Sequence, residues 1–239
     1  MIRKHKRRTA KAAFAVSLGV AIVIGSFAGT ARSAPKAGPT VVIGTKNFAE
    51  EYILGALYED ALKAQGYSVT LKGNIGSSEI TWKALLAGQI QVYPEYTGEI
   101  LSTIAGFTTN PTSATAAYTQ AKAYASKHGL TLLNPTPFYD SDALAVTAAY
   151  AKKNHLKTIS DLKKLGHGVV LGGAPTFATR LEGLLGLKKD YGIDPTFKPI
   201  AIGLGYTALN TGKVDVQDVF TTDGQLATVA SEGHSIEIG

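Results

Sequence analysis

From residue 41 onward, short runs rich in β-branched residues alternate with segments of helical periodicity. The run Val41-Val42-Ile43 precedes a predicted helix from about residue 49 to residue 64. Asn47 and Glu50 have the three-residue spacing of a capping box, which predicts where that helix starts. Such alternation is typical of a layered α/β fold with a largely parallel sheet. We therefore predict an α/β class for the chain.

The same alternation continues on both sides of a proline-rich segment, Asn134-Pro135-Thr136-Pro137. Two prolines in three residues are not tolerated in the interior of a regular element, so we place a crossover between two lobes there. The predicted divisions are lobe I over residues 40–136, lobe II over 137–233 and the start of a return crossover over 234–239. Two α/β lobes joined in this way have a ligand cleft between them. Further predicted strands are 67–71, 91–93, 143–146, 169–171, 196–200 and 214–219, and further predicted helices are 78–87, 113–127, 160–165, 176–187 and 206–211.

The N-terminus has the pattern of a secretory signal peptide. An uncharged apolar stretch, residues 12–28, is followed by the small residues 29–34. A retained membrane anchor is the alternative, because an apolar stretch of about 17 residues is marginally long enough to span a bilayer. We predict that residues 1–34 are removed and that the protein is periplasmic. The basic residues ahead of the apolar stretch are Arg3, Lys4, Lys6, Arg7, Arg8 and Lys11.

Charge and composition exclude several classes of function. The formal charge is +6, but seven of the 24 basic residues and none of the 18 acidic residues lie in residues 1–34. The remainder is nearly neutral, which argues against a nucleic-acid-binding surface. The absence of cysteine excludes disulfides, thiolate metal sites and a lipidated N-terminal cysteine. The chain also lacks a Gly-x-Ser-x-Gly elbow and a P-loop, and its five histidines are scattered. We expect no enzyme activity, no metal and no cofactor.

Several motifs occur in collinear order from about residue 40 to residue 226. The motifs are Gly44-Thr45-Lys46-Asn47-Phe48, Asn74-Ile75-Gly76-Ser77-Ser78, Tyr93-Pro94-Glu95-Tyr96-Thr97-Gly98, Phe177-Ala178-Thr179-Arg180 and Thr221-Thr222-Asp223-Gly224. With these motifs the chain resembles the glycine betaine, carnitine and choline binding proteins of osmoprotectant ABC importers. The resemblance implies a two-lobed periplasmic-binding-protein fold of type 2 that closes on a small molecule, acts as a monomer and delivers its ligand to a membrane permease.

Aromatic residues are the expected partners of a quaternary ammonium, which has no hydrogen-bond donor and is best held by ring faces. Tyr93 and Tyr96 are expected to present their rings from the first lobe, and Tyr206 from the second. The alternative interpretation is that these tyrosines pack with their hydroxyl groups at the surface. For Tyr206 we give the two interpretations equal weight.

Arg180 is the expected partner of a ligand carboxylate, because a guanidinium binds one bidentately. A structural ion pair with Glu182 or Asp161 is the alternative. Ser77 opens a predicted helix, where it either helps to bind an anion or caps the helix. The resemblance adds Lys46, Asn47, Thr97 and Asp223 to the candidate ligand-binding residues.

Two departures from the family pattern affect the ligand and the fold. Where many relatives carry Asn-Asn-Thr-Tyr, this chain has Tyr139-Asp140-Ser141-Asp142. Asp142 therefore replaces an aromatic residue, and it either accepts hydrogen bonds from a different polar solute, such as an amine, amino acid or polyol, or caps local backbone. Relatives also continue for several tens of residues beyond the position of Gly239. We therefore expect a first lobe that is short of its last elements, as a fragment or with one side exposed.

Overall fold

The computed structural model describes residues 2–3, 40–231 and 236–238, and these form the predicted two-lobed α/β fold. The predicted signal peptide lies outside the described residues except for Ile2 and Arg3. Among the helices that the structure describes, none is long and apolar enough to cross a membrane.

The first lobe is built on two parallel strands, residues 40–44 and 68–72, in which Ile43 lies opposite Leu71. Residues 91–93 were expected to add a third strand, but they contribute a single bridge from Val92 to Ile43. The backbone N–H of Val42 donates to the side-chain Oε1 atom of Gln91 there, rather than to a backbone carbonyl of a neighbouring strand. The elements of this lobe are β1 (Ile2–Arg3), β2 (Thr40–Gly44), α1 (Ala49–Ala64), β3 (Ser68–Lys72), α2 (Ser78–Leu86), α3 (Thr97–Glu99) with a π-helical turn Ile100–Ile104, α4 (Ala114–Lys127) and β4 (Leu130–Thr131), which pairs with β1.

Helix α1 starts at the predicted residue, but the predicted capping box is wrong. Phe48 occupies the N-cap position and makes no side-chain capping bond. Glu50 is unavailable to cap the helix because its two carboxylate oxygens accept hydrogen bonds from Tyr96 and Thr222. A tertiary contact has therefore taken the place of a local one.

The second lobe contains a five-stranded sheet, whose strands lie in the order β7 (Thr196–Pro199), β6 (Val170–Gly173), β8 (Val216–Phe220), β5 (Asp142–Thr147) and β9 (Ile236–Ile238). Strand β6 runs parallel to β7 and β8, whereas β5 runs antiparallel to β8 and β9. The sheet is therefore mixed rather than largely parallel, and the predicted return crossover contains its edge strand β9. The elements are β5 (Asp142–Thr147), α5 (Ala148–Asn154), a 3-10 helix (Ile159–Gly168), β6 (Val170–Gly173), a 3-10 helix (Pro175–Thr179), α6 (Leu184–Gly186), a π-helical turn (Leu187–Tyr191), β7 (Thr196–Pro199), α7 (Gly205–Asn210), β8 (Val216–Phe220), α8 (Gly224–Ser231) and β9 (Ile236–Ile238).

The single helix predicted over residues 176–187 is broken in the structure. Arg180 ends the 3-10 helix in an extended conformation, with φ −92° and ψ 154°. Close packing then brings Gly183 against the Phe177 carbonyl oxygen, which would lie 2.0 Å from a Cβ atom at that position. A side chain at position 183 would have to displace backbone there, so the interruption of the helix depends on Gly183. Arg180 lies at this interruption.

Each lobe has its own apolar core. Fully buried Leu85, Ile90 and Ile100 belong to the first cluster, whose last packed member is Leu132. The second-lobe clusters begin after the proline-rich segment and cover both faces of the mixed sheet. On helix α1, Ile53 and Leu57 remain 61% and 59% exposed. The first lobe therefore presents apolar side chains to solvent on this helix.

Candidate ligand-binding site

Three aromatic rings meet where the lobes face each other. Phe48 and Tyr96 come from the first lobe, at the N-termini of α1 and α3, and Phe220 ends β8 in the second lobe. The ring centroids of Phe48 and Tyr96 are 6.2 Å apart and those of Phe48 and Phe220 are 6.0 Å apart, with stacked planes. We call these three residues the aromatic stack.

The buried ammonium of Lys46 lies over the aromatic stack. Its Nζ atom is 4.3 Å from the ring centroid of Tyr96 and 5.4 Å from that of Phe48. It also lies 2.5 Å from the Glu95 carboxylate and donates to the Ser78 hydroxyl at 3.3 Å. Both distances to the rings are within the range of a cation–π contact. The ring face of Tyr96 is therefore a surface on which this structure already places a cation.

Glu51 lies beneath this cation and is fully buried. Its Oε2 atom accepts a hydrogen bond from the backbone N–H of Lys46 at 3.0 Å, but its Oε1 atom is 3.9 Å from the ammonium. Burial raises the pKa of Glu51 to about 7, and Lys46 opposes this only in part. The ammonium is closer to Glu95, so Glu51 lacks the short ion pair that would keep it charged.

Glu50 joins the two lobes at the edge of the aromatic stack. The Tyr96 hydroxyl donates to its Oε1 atom at 2.6 Å, and the hydroxyl of Thr222 in the second lobe donates to its Oε2 atom. Asp140 lies nearby: burial raises its pKa to about 6, and the Glu50 charge also raises it while hydrogen bonds from Thr222 lower it. In the described part of the chain, no Lys or Arg forms an ion pair with Glu50 or Asp140.

Arg180 forms a second connection between the lobes. Its guanidinium donates to Glu99 in the first lobe and, at 2.7 Å, to Asp142 in the second. The Arg180 side chain is only 9% exposed, and its partners are neither of the two acidic residues that the sequence suggested. Burial raises the pKa of Asp142, which also lies beside the buried Asp218. The guanidinium is therefore engaged with protein carboxylates on both sides.

The remaining candidates support the cleft or line it without joining the aromatic stack. Tyr93 is buried in the first core and donates to Glu95 at 2.9 Å, so its ring packs in the core and its hydroxyl group does not reach the surface. Tyr206 donates to Asp223 at 2.9 Å, and Asp223 also accepts from the backbone N–H of Phe220. This pair therefore holds the end of β8 in place.

Asn47, Ser77 and Thr97 line the cleft. The Ser77 hydroxyl donates to Glu79 at 2.6 Å and makes no capping bond to α2. No group of three His, Asp or Glu side chains is arranged to hold a metal ion in the residues that the structure describes.

Sequence reasoning missed three residues of the site. Phe48 is the last residue of the motif Gly44-Thr45-Lys46-Asn47-Phe48, Glu50 follows it by two residues, and Phe220 directly precedes Thr221-Thr222-Asp223. Phe48 and Phe220 are aromatic neighbours of candidate residues, which is the signal that would have found them. For Glu50, the predicted capping role concealed the contact with the other lobe.

Comparison with known families gives a direct match. The model of the substrate-binding domain of ABC-type glycine betaine transport systems matches residues 39–231. The chain belongs to this family. The resemblance inferred from the motifs is thereby confirmed.

Individual relatives of this domain agree on the fold. The glycine-betaine-binding protein of Pseudomonas aeruginosa is 31% identical over 199 residues, which cover 78% of this chain and 63% of that protein. The solved structure of a glycine betaine/carnitine/choline ABC transporter is 30% identical with a TM-score of 0.60, covering 83% of this chain and 72% of the other. YehZ of Escherichia coli is 24% identical with a TM-score of 0.56, covering 83% and 74% of the two chains, and shows the fold. The chain thus spans less than two thirds of the length of the Pseudomonas relative.

Replacing Arg180 with alanine is expected to lower the free energy of unfolding by about 3–5 kcal/mol, because it leaves Glu99 and Asp142 without their cationic partner. Chemical denaturation of the full chain measures this. The control is Lys188→Ala, which removes an ion pair to Asp194 whose side chains are 68% and 52% exposed and should cost about 0–1 kcal/mol. Equal small losses for the two variants would contradict a buried connection between the lobes.

The raised pKa of Glu51 makes the stability of the protein depend on pH. Its pKa rises from 4.5 to about 7 in the folded protein, so between these values the folded state keeps a proton that the unfolded state releases. Stability from this group therefore falls as pH rises through that window. Glu51→Gln lacks this loss. The free energy of unfolding of the variant, compared with that of the natural protein, should therefore rise by about 2–3 kcal/mol as the pH is raised from 4.5 to 7.5. Denaturation at several pH values tests this, and parallel stability curves would contradict it.

Proposed function

We propose that this chain is the extracytoplasmic solute-binding component of an ABC importer, binding a quaternary-ammonium osmoprotectant of the glycine betaine and choline class. In this proposal the protein is exported through its signal peptide to the periplasm, acts as a monomer and delivers the ligand to a membrane permease. No chemical step is involved. The observation that carries the proposal is the Lys46 ammonium over the Tyr96 ring at the junction of the lobes, and membership of the family supports it.

Ligand entry requires the aromatic stack to open. A trimethylammonium packed between two ring faces needs about 3.5–4 Å between carbon atoms on each side, which is more room than the 6.0 Å between the centroids of Phe48 and Phe220. These two rings belong to different lobes, so separation of the lobes supplies the space. The Glu50 bond to Thr222 and the Arg180 bond to Glu99 join the same lobes. Ligand binding at the rings is thereby coupled to the opening and closing of the cleft.

A different polar solute, such as an amine, amino acid or polyol, is the alternative ligand. That alternative rested on the segment Asp140-Ser141-Asp142, in which Asp142 replaces an aromatic residue of the family pattern. Arg180 binds the Asp142 carboxylate at 2.7 Å, so Asp142 is occupied by an internal partner. The quaternary-ammonium proposal instead uses the half-buried rings of Phe48, Tyr96 and Phe220.

Tyr96→Leu tests the aromatic part of the proposal. Loss of the ring face is expected to weaken choline and glycine betaine alike, by about 1–2 kcal/mol each, because both carry the same trimethylammonium group. Calorimetric titration of the full chain measures both affinities. Tyr67→Leu is the matched control, since Tyr67 is exposed outside the cleft, and it should change neither affinity. Unchanged choline binding in Tyr96→Leu would assign Tyr96 to packing.

A further inference from the structure

Negative charges outnumber positive charges around the aromatic stack. Lys46 is paired with Glu95 at 2.5 Å, and Arg180 is shared between Glu99 and Asp142. Each of the two cations that line the cleft near the lobe junction is therefore already neutralised by protein carboxylates. A ligand carboxylate that bound Arg180 would have to displace Glu99 or Asp142 from it.

Two further carboxylates stand beside the rings with neutral partners. Glu50 accepts hydrogen bonds from the Tyr96 and Thr222 hydroxyls, and Asp140 accepts one from the Thr221 hydroxyl at 3.4 Å. Hydroxyl donors stabilise a carboxylate but leave its negative charge uncompensated. The surroundings of the aromatic stack therefore carry excess negative charge.

Glu50 is also placed to meet the ligand directly. Its carboxylate binds the hydroxyl of Tyr96, whose ring is the cation-binding surface, and it reaches Thr222 on the opposite lobe. Opening of the cleft breaks the bond between the lobes and leaves this carboxylate at the edge of the space that a ligand would enter. At such separations, and with the partial screening of a half-buried site, a single charge changes affinity by about tenfold or more.

We propose that this site selects ligands with a net positive charge, of the choline class, over zwitterions such as glycine betaine, and that Glu50 sets this selectivity. The inference rests on the proposed function and narrows it. The ring faces attract the trimethylammonium of either ligand, whereas Glu50 attracts the cation and repels the carboxylate of the zwitterion. Glu50 is thus the residue that distinguishes the two.

Calorimetric titration of the full chain with choline and with glycine betaine tests this inference. The natural protein should bind choline at least about tenfold more tightly. Glu50→Gln keeps the size and an acceptor oxygen but removes the charge, so it should lower the affinity for choline about tenfold more than the affinity for glycine betaine. The matched control is Glu59→Gln on the same helix, where Glu59 pairs with Lys63, and it should leave both affinities within about twofold.

The possible outcomes separate the two proposals. Equal affinity for the two ligands in the natural protein, or equal losses in Glu50→Gln, overturns the inference and leaves the proposed function standing. Binding of neither ligand by the natural protein overturns the proposed function, and the inference with it. If thermal melting shows that Glu50→Gln is unfolded, Asp140→Asn takes its place and should shift the ratio of affinities in the same direction.

Discussion

The contact of the Arg180 guanidinium with both lobes is the interaction on which the arrangement of the cleft depends. A buried guanidinium is costly unless carboxylates compensate it, and the chain supplies Glu99 from one lobe and Asp142 from the other. Because Glu99 belongs to α3, these ion pairs hold α3 against the second lobe. Tyr96 directly precedes α3, and Phe220 ends the strand paired with the one that begins at Asp142. The ion pairs thereby bring the rings of the two lobes together.

In the proposed function, the aromatic stack binds both an internal cation, Lys46, and the cation of the ligand. The Lys46 ammonium lies on the ring of Tyr96 and is fixed there by Glu95. A quaternary ammonium cannot make that hydrogen bond, so it depends on ring faces and on uncompensated negative charge nearby. Glu50 and Asp140 supply this charge at the junction of the lobes. In the proposed function, solute recognition and lobe closure therefore use the same side chains.

The sequence predicted the parts of the fold that depend on local pattern. The α/β class followed from periodicity, since β-branched runs and helical spacing report the neighbours of a residue along the chain. The start of α1 at Ala49 was instead inferred from a capping box that the structure does not form. The mixed sheet was not predictable in this way, because strand direction is decided by pairing between distant residues. The helix predicted over 176–187 failed for a related reason: Gly183 packs on Phe177, and Arg180 turns toward a carboxylate 81 residues away.

The candidate site, like the fold, was predicted only where it depends on local sequence. Motif resemblance led to Lys46 and Tyr96, which the structure brings together, but it could not show that Arg180 was engaged by Glu99. A crystal structure of the protein with choline would show whether the aromatic stack binds the cation. We expect the ammonium within about 6 Å of the ring centroids of Tyr96 and Phe48, with Phe48 and Phe220 farther apart than 6.0 Å. Choline bound elsewhere in the cleft, with the aromatic stack still closed, would contradict it.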